Sequence, residues 1–105
     1  MIKAKAPPKI PNLMSVIKNH IALGRYISCL HLEEREKQRC ITRQEILHVL
    51  RNGFHEKGKD GFDTSYQVWH YAIRGKTVDE RDLRVFVSFD KVAQLVIITA
   101  YEVGK

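Results

Sequence analysis

In the stretch "LHLEEREKQRCITRQEI", residues 30–46, His31, Arg35 and Arg39 follow one another at four-residue intervals. On an α-helix, steps of four keep side chains within roughly 80° of one another over about 12 Å, so the three would form one line of nitrogen donors. Metal-free cleavage of an RNA chain needs a base for the 2′-hydroxyl, an acid for the departing 5′-oxygen and cations for the phosphorane. Histidine and arginine at this spacing could share those tasks. The same stretch interleaves Glu33, Glu34 and Glu36 with the stripe. Carboxylates paired at i,i+4 with Lys37 and other cations would instead make a plain solvated helix face. The spacing leaves both readings open.

A second set of polar side chains comes from period-two alternation further along the chain. In "LRVFVSFD", Leu83, Val85, Val87 and Phe89 point one way and Arg84, Phe86 and Ser88 the other. In "QLVIITAYE", Val96, Ile98 and Ala100 form an apolar face, while Ile97, Thr99 and Tyr101 form one that carries hydroxyls. With the apolar sets under helices, the opposite face presents Arg84, Ser88, Thr99 and Tyr101, joined by His70, or by Trp69 and Tyr71. Rings, hydroxyls and cations on one sheet suit RNA, whose bases stack and whose phosphates pair with arginine. The plainer reading is the half-polar outer face that antiparallel sheets normally have. The candidate catalytic set is therefore His31, Arg35, Arg84 and Tyr101. Arginine holds phosphate, His31 or His70 moves protons, and Tyr101 positions ribose or base. The candidate nucleic-acid-binding set is Arg39, His70, Trp69 and Thr99.

Other chemistries find little support. Cys29 and His31 are two apart, so on a helix they diverge rather than meet at one ion, and no CxxC or HxxxH pattern accompanies them. No metal or other cofactor is expected. Cys29 and Cys40 would lie about 16 Å apart along a helix, beyond disulfide reach, and are expected to be reduced. "GKDGFDTS" precedes a strand rather than a helix and reads as a turn, not a phosphate loop. The formal net charge is +6 and the pI near 9.5, an excess that favours polyanionic partners such as RNA. No apolar run approaches the roughly 18 residues a membrane span needs, and "MIKAKAPPKIPN" has no apolar secretory core. A cytoplasmic protein without membrane partners is the expectation. Oligomeric state is not legible.

The elements that must position these residues divide the chain in two. Pro7, Pro8 and Pro11 are its only prolines, so residues 1–11 read as a flexible basic arm and 12–105 as a single α+β domain. Leu13, Val16, Ile17, His20, Ile21 and Gly24 recur at helical spacing behind an Asn12 cap. "RYIS" reads as a brief extended connector, with Ser28 capping a second helix to about Arg39. Thr42 and Glu45 form a capping box for a third helix that Asn52-Gly53 ends. A short edge strand, a glycine-containing turn and three longer strands follow. The expected architecture is N-terminal helices packed on one face of a three- to four-stranded antiparallel sheet, a β-meander.

Taken in order, "GRYISCLHLEEREKQRCITRQEILHVLRNG", "SYQVWHYAIRG", "LRVFVSFD" and "LVIITAYE" resemble the small bacterial and archaeal family catalogued as domain of unknown function 4258, over about residues 16–102. The family's histidine and the arginine four on are matched by His31 and Arg35. Its step into a helix is matched by Arg39, Cys40, Ile41 and Thr42, and its closing strand by Ile98 to Glu102. Cys40 stands where glycine is usual, and Arg84 where the family often has histidine. The family's shape resembles compact ribonuclease toxins of the RelE-like and BrnT-like groups. By analogy, that resemblance implies a toxin-like endoribonuclease needing no metal and an acidic antitoxin-like partner. The alternative is a non-catalytic module that binds nucleic acid or protein.

Overall fold

A computed structural model describes residues 6–28 and 41–104. It contains helices α1 (Leu13–Ala22) and α2 (Arg43–Asn52) and strands β1 (Tyr26–Ser28), β2 (Phe54–His55), β3 (Gly61–Asp63), β4 (Val68–Lys76), β5 (Asp82–Phe89) and β6 (Leu95–Glu102). A short 3-10 turn, Lys57–Lys59, separates β2 from β3. The fold is α+β.

The sheet is larger and more mixed than the alternation suggested. Its six strands run β1-β6-β5-β4-β2, with β3 beside β4. β4, β5 and β6 pair antiparallel, as a meander should. β1 departs from this, because "RYIS" pairs parallel to β6, with Ile27 opposite Val96. Three residues carry too short an alternation to announce a strand, and only the neighbouring β6 makes them one. Ser28 lies in β1, where its Oγ accepts from Arg43 Nη1 at 2.9 Å.

The helices form for reasons visible in their residues. Leu13, Ile17 and Ile21, four apart, are the buried face of α1. Asn12 precedes them in a left-handed conformation (φ 54°) and makes no side-chain cap. In α2, Thr42 Oγ1 accepts from the Glu45 backbone N–H at 3.1 Å, and Glu45 Oε1 accepts from Thr42 N–H at 2.9 Å, so the expected capping box is present. Ile46, Leu47, Val49 and Leu50 are its buried face. They join Tyr71, Ile73, Leu83, Val85, Val87, Leu95, Ile97 and Ala100 from the sheet in one core. Each full burial of such an aliphatic side chain is worth about 1.5–3 kcal/mol relative to exposure.

β5 alternates as read, with Leu83, Val85 and Val87 fully buried. β6 does not. Phe86 pairs with Thr99 but Val87 pairs with Ile97, so Ile98 is an extra residue, a β-bulge. The bulge inverts the first half of the expected pattern. Leu95 and Ile97 face the core with Ala100, whereas Val96 and Ile98, expected to be core, are half-buried on the second face with Thr99 and Tyr101.

Residues 7–10, part of the arm expected to be mobile, lie against the sheet. Trp69 Nε1 donates to the Pro7 carbonyl at 2.7 Å, and Ile10 N–H donates to Tyr71 Oη at 3.0 Å. Lys9 Nζ sits 3.0 Å from Asp60 Oδ2 and 4.7 Å from the Trp69 ring centroid. At the far end of α1, the His20 ring bridges the Val16 carbonyl (2.8 Å) and the Ala93 carbonyl (2.7 Å), fastening the helix to the β5–β6 turn.

Candidate functional site

The second face of the sheet gathers four charged side chains and a phenol. Arg84 on β5 lies directly opposite Arg74 on β4 and Tyr101 on β6, because these registers place all three on one transverse row. Glu56, one residue beyond β2, reaches the same row. Arg84 Nε donates to Glu56 Oε1 at 2.7 Å and Nη2 to Glu56 Oε2 at 3.2 Å, a two-pronged pair. Arg84 Nη1 donates to Tyr101 Oη at 2.9 Å, with the guanidinium carbon 5.6 Å from that ring's centroid. Arg74 Nη1 donates to Glu56 Oε2 at 3.1 Å. Its Nε and Nη2 hold both oxygens of Asp82, at 3.1 and 2.7 Å.

This packing fixes protonation states. Hydrogen bonds from Arg84 hold the Glu56 carboxyl below the ordinary carboxylate range. They outweigh the upward push of burial, and Arg74 adds to them. Asp82 is likewise lowered, chiefly by Arg74. Both guanidiniums are raised, Arg84 by Glu56 and then Tyr101, Arg74 by Asp82 and then Glu56. At neutral pH the group is two cations and two anions. Glu56 is a poor proton acceptor there, because its charge is already satisfied. Tyr101 accepts from Arg84 through its oxygen. Each guanidinium has five N–H groups, of which these contacts use three. Such a row can orient an anion by adding to it the remaining N–H groups, and a base by the Tyr101 ring, whose neighbour Phe86 lies 6.2 Å away, centroid to centroid.

The residues picked from the sequence divide into three groups. Arg84 and Tyr101 are brought into direct contact, and Thr99 stands on the same face, paired with Phe86. His70 shares that face but is four residues from Arg74 along β4, about 13 Å at the rise of a strand. Its Nε2 is 3.6 Å from Asp63 Oδ2. Trp69 and Tyr71 lie on the core side, where Trp69 bonds Pro7 and Tyr71 is buried. Ser88 is also buried and spends its hydroxyl on the Trp69 carbonyl at 2.8 Å. His31, Arg35, Arg39, Cys29 and Cys40 lie outside the described residues.

Sequence reasoning did not pick out Glu56, Arg74 and Asp82 for the site. Glu56 sits in "FHEKGKDGFD", which reads as a short edge strand followed by a glycine-containing turn. Its one legible signal is that Phe54 and Glu56 are two apart, hence on the same side of a strand that continues past its paired residues. Among the described residues no cluster of histidine, cysteine and carboxylates is arranged to hold a metal ion, and no helix is long and apolar enough to cross a membrane.

No curated protein and no solved structure matches the chain. A family model described as Domain of unknown function (DUF4258) matches residues 30–102, a span that takes in α2, every strand after β1 and the whole Arg84–Tyr101 row. The chain belongs to the DUF4258 family.

Proposed function

We propose that the protein is a small basic RNA-directed protein that acts as a metal-independent, toxin-like endoribonuclease. The observation that carries this reading is the contact between Arg84 Nη1 and Tyr101 Oη at 2.9 Å, with Arg74 in the same cross-strand row. Arg84 and Arg74 supply the phosphate contacts, and Tyr101 and Thr99 meet ribose or base. Proton transfer falls to His31, with Arg35 and Arg39 stabilising the phosphorane. A toxin of this kind is neutralised by an acidic antitoxin-like protein and works in the cytoplasm.

A second reading, a non-catalytic nucleic-acid-binding module, is favoured by a specific feature. Glu56 and Asp82 already balance both arginines, and His70 stands well away from them. One experiment separates the two. RNA is incubated with chelator and wild-type protein, His31→Ala or Arg84→Ala. Cleavage by wild type that drops at least tenfold in both variants supports the nuclease. Salt-dependent binding without product supports the module. Absence of both cleavage and binding ends the RNA reading.

A further inference from the structure

On the core side of the sheet, where β2 leads into the 3-10 turn, a second group of ionisable side chains is assembled. The Asp60 side chain has no exposed surface. Its Oδ1 accepts from the Ala72 backbone N–H at 2.8 Å, and its Oδ2 meets His55 Nε2 at 2.7 Å and Lys9 Nζ at 3.0 Å. A buried carboxylate in that position keeps a proton on Nε2, which leaves Nδ1 of the neutral ring as an acceptor, and of the charged ring as a donor. The ring stands edge-on to Tyr71, centroids 5.7 Å apart, and its side chain is 11% exposed. Nδ1 has no hydrogen-bond partner among the described residues.

A cleft of about 530 Å³ opens beside this ring, lined among others by Lys9, Asn12, Ser15, His55 and Lys57. Among the described residues no carboxylate lines it. Lys57 is exposed and makes no ion pair among the described residues. The start of α1 forms another wall, with no capping side chain and no acidic residue in its first turn, so the positive end of that helix is uncompensated from within. An imidazole, two lysines and a helix start thus line one space, and the one carboxylate behind them, the buried Asp60, already holds the Lys9 ammonium.

We propose that this cleft binds a phosphate group, with Nδ1–H of the charged His55 ring donating to a phosphate oxygen, Lys57 as its free cation and Asp60 as the positioning residue behind the ring. The site lies across the sheet from Arg84 and does not rest on the RNA reading of that face. The test is phosphate titration of the ¹⁵N-labelled full chain at fixed pH, with chloride at matched ionic strength as control, following the imidazole nitrogens. The His55 Nδ1 signal is expected to move saturably with phosphate and not with chloride. Lys57→Ala weakens the response at least threefold and His55→Gln removes the saturable phosphate-induced shifts of the cleft backbone amides in the same ¹⁵N spectra, whereas Arg84→Ala changes neither. Asp60→Asn redistributes the ring proton between Nδ1 and Nε2, a signature that loss of packing alone does not give. Should that variant unfold, the exposed Lys57→Ala still decides. Adenosine 5′-monophosphate and a dinucleoside phosphodiester then distinguish a terminal phosphate from a backbone one, and saturation by either supports the site. A His55 signal that moves equally in chloride, or a Lys57→Ala titration identical to wild type, overturns it.

Discussion

Replacing Glu56 by glutamine should make the protein less stable and a better binder of polyanions at once. The carboxylate takes three arginine N–H bonds, two from Arg84 and one from Arg74. Glutamine keeps one acceptor oxygen and turns an amide against the second guanidinium, leaving one or two charge-assisted bonds unmade. Such bonds are worth about 1.5–3 kcal/mol in a buried setting. The Glu56 side chain is 18% exposed and Arg84 11%, so solvent screening reduces this to a net loss of about 1–2 kcal/mol. For a domain near this size that is a fall of roughly 4–12 °C in Tm. Meanwhile the row changes from two cations and two anions to two cations and one. RNA should gain about one phosphate contact, and the slope of log K against log salt should steepen by about 0.7. The assays are thermal unfolding and fluorescence anisotropy with a labelled single-stranded RNA between low and moderate salt. A variant that loses stability while its RNA affinity and salt slope stay at wild-type values would refute the assignment of this row to phosphate.

The same carboxyl carries a pH signature. Its value is lowered from 4.5 in the folded protein, so the unfolded chain binds that proton more readily. The ion pair's contribution is complete above about pH 4.5 and is lost as pH falls through the lowered folded value. Asp82, lowered from 3.8 by Arg74, behaves in the same sense. Wild-type stability should therefore decline with acid more steeply than that of Glu56→Gln, and the two curves should converge at low pH. Parallel curves across this window would show that the arginines do not hold the charged form.

Ile97→Ala, at a position 1% exposed, should cost about 2–5 kcal/mol in urea unfolding, while Ile98→Ala on the half-buried second face should cost about 1 kcal/mol or less; equal losses would contradict the bulge. Thr42→Ala removes half of the capping box and should lower stability by about 1 kcal/mol, with Thr42→Asp restoring most of it, both read by the same unfolding curves. Gly53→Ala would place a methyl 2.6 Å from the Val49 carbonyl oxygen and against the Arg74 carbonyl, and should cost about 1–3 kcal/mol, visible as a lower urea midpoint.

Helices α1 and α2 and the central strands were legible because their signals are local; the helix expected to run to about Arg39 lies outside the described residues. Four-residue spacing of Leu13, Ile17 and Ile21, the Thr42–Glu45 box and the alternation of Leu83, Val85 and Val87 each sit within one element and need no partner to be read. What escaped depends on a neighbour. β1 exists through its parallel pairing with β6, and the bulge at Ile98 is defined only by the register between β5 and β6. Uniform alternation along "LVIITAYE" therefore assigned Thr99, Ala100 and Tyr101 correctly, on the far side of the bulge, and inverted Val96 and Ile97 before it.

The site follows the same division, with a consequence for its chemistry. Arg84 and Tyr101 could be placed on one face from their own strands, but the charge they experience could not, since Glu56 arrives from a two-residue strand 28 positions away from Arg84 in sequence. A net charge of +6 says that cations are in excess over the whole chain. It does not say which are uncommitted. On this face the arginine that alternation singles out, Arg84, is one a carboxylate already holds, whereas Lys57 on the other side, in a segment that reads as a turn, has no such partner among the described residues. Excess charge marks a protein for polyanions, but pairing decides where on its surface the polyanion is met. An anion reaching Arg84 must share it with Glu56, whereas one reaching the cleft shares only the His55 ring with Asp60 and meets in Lys57 a cation with no carboxylate partner among the described residues.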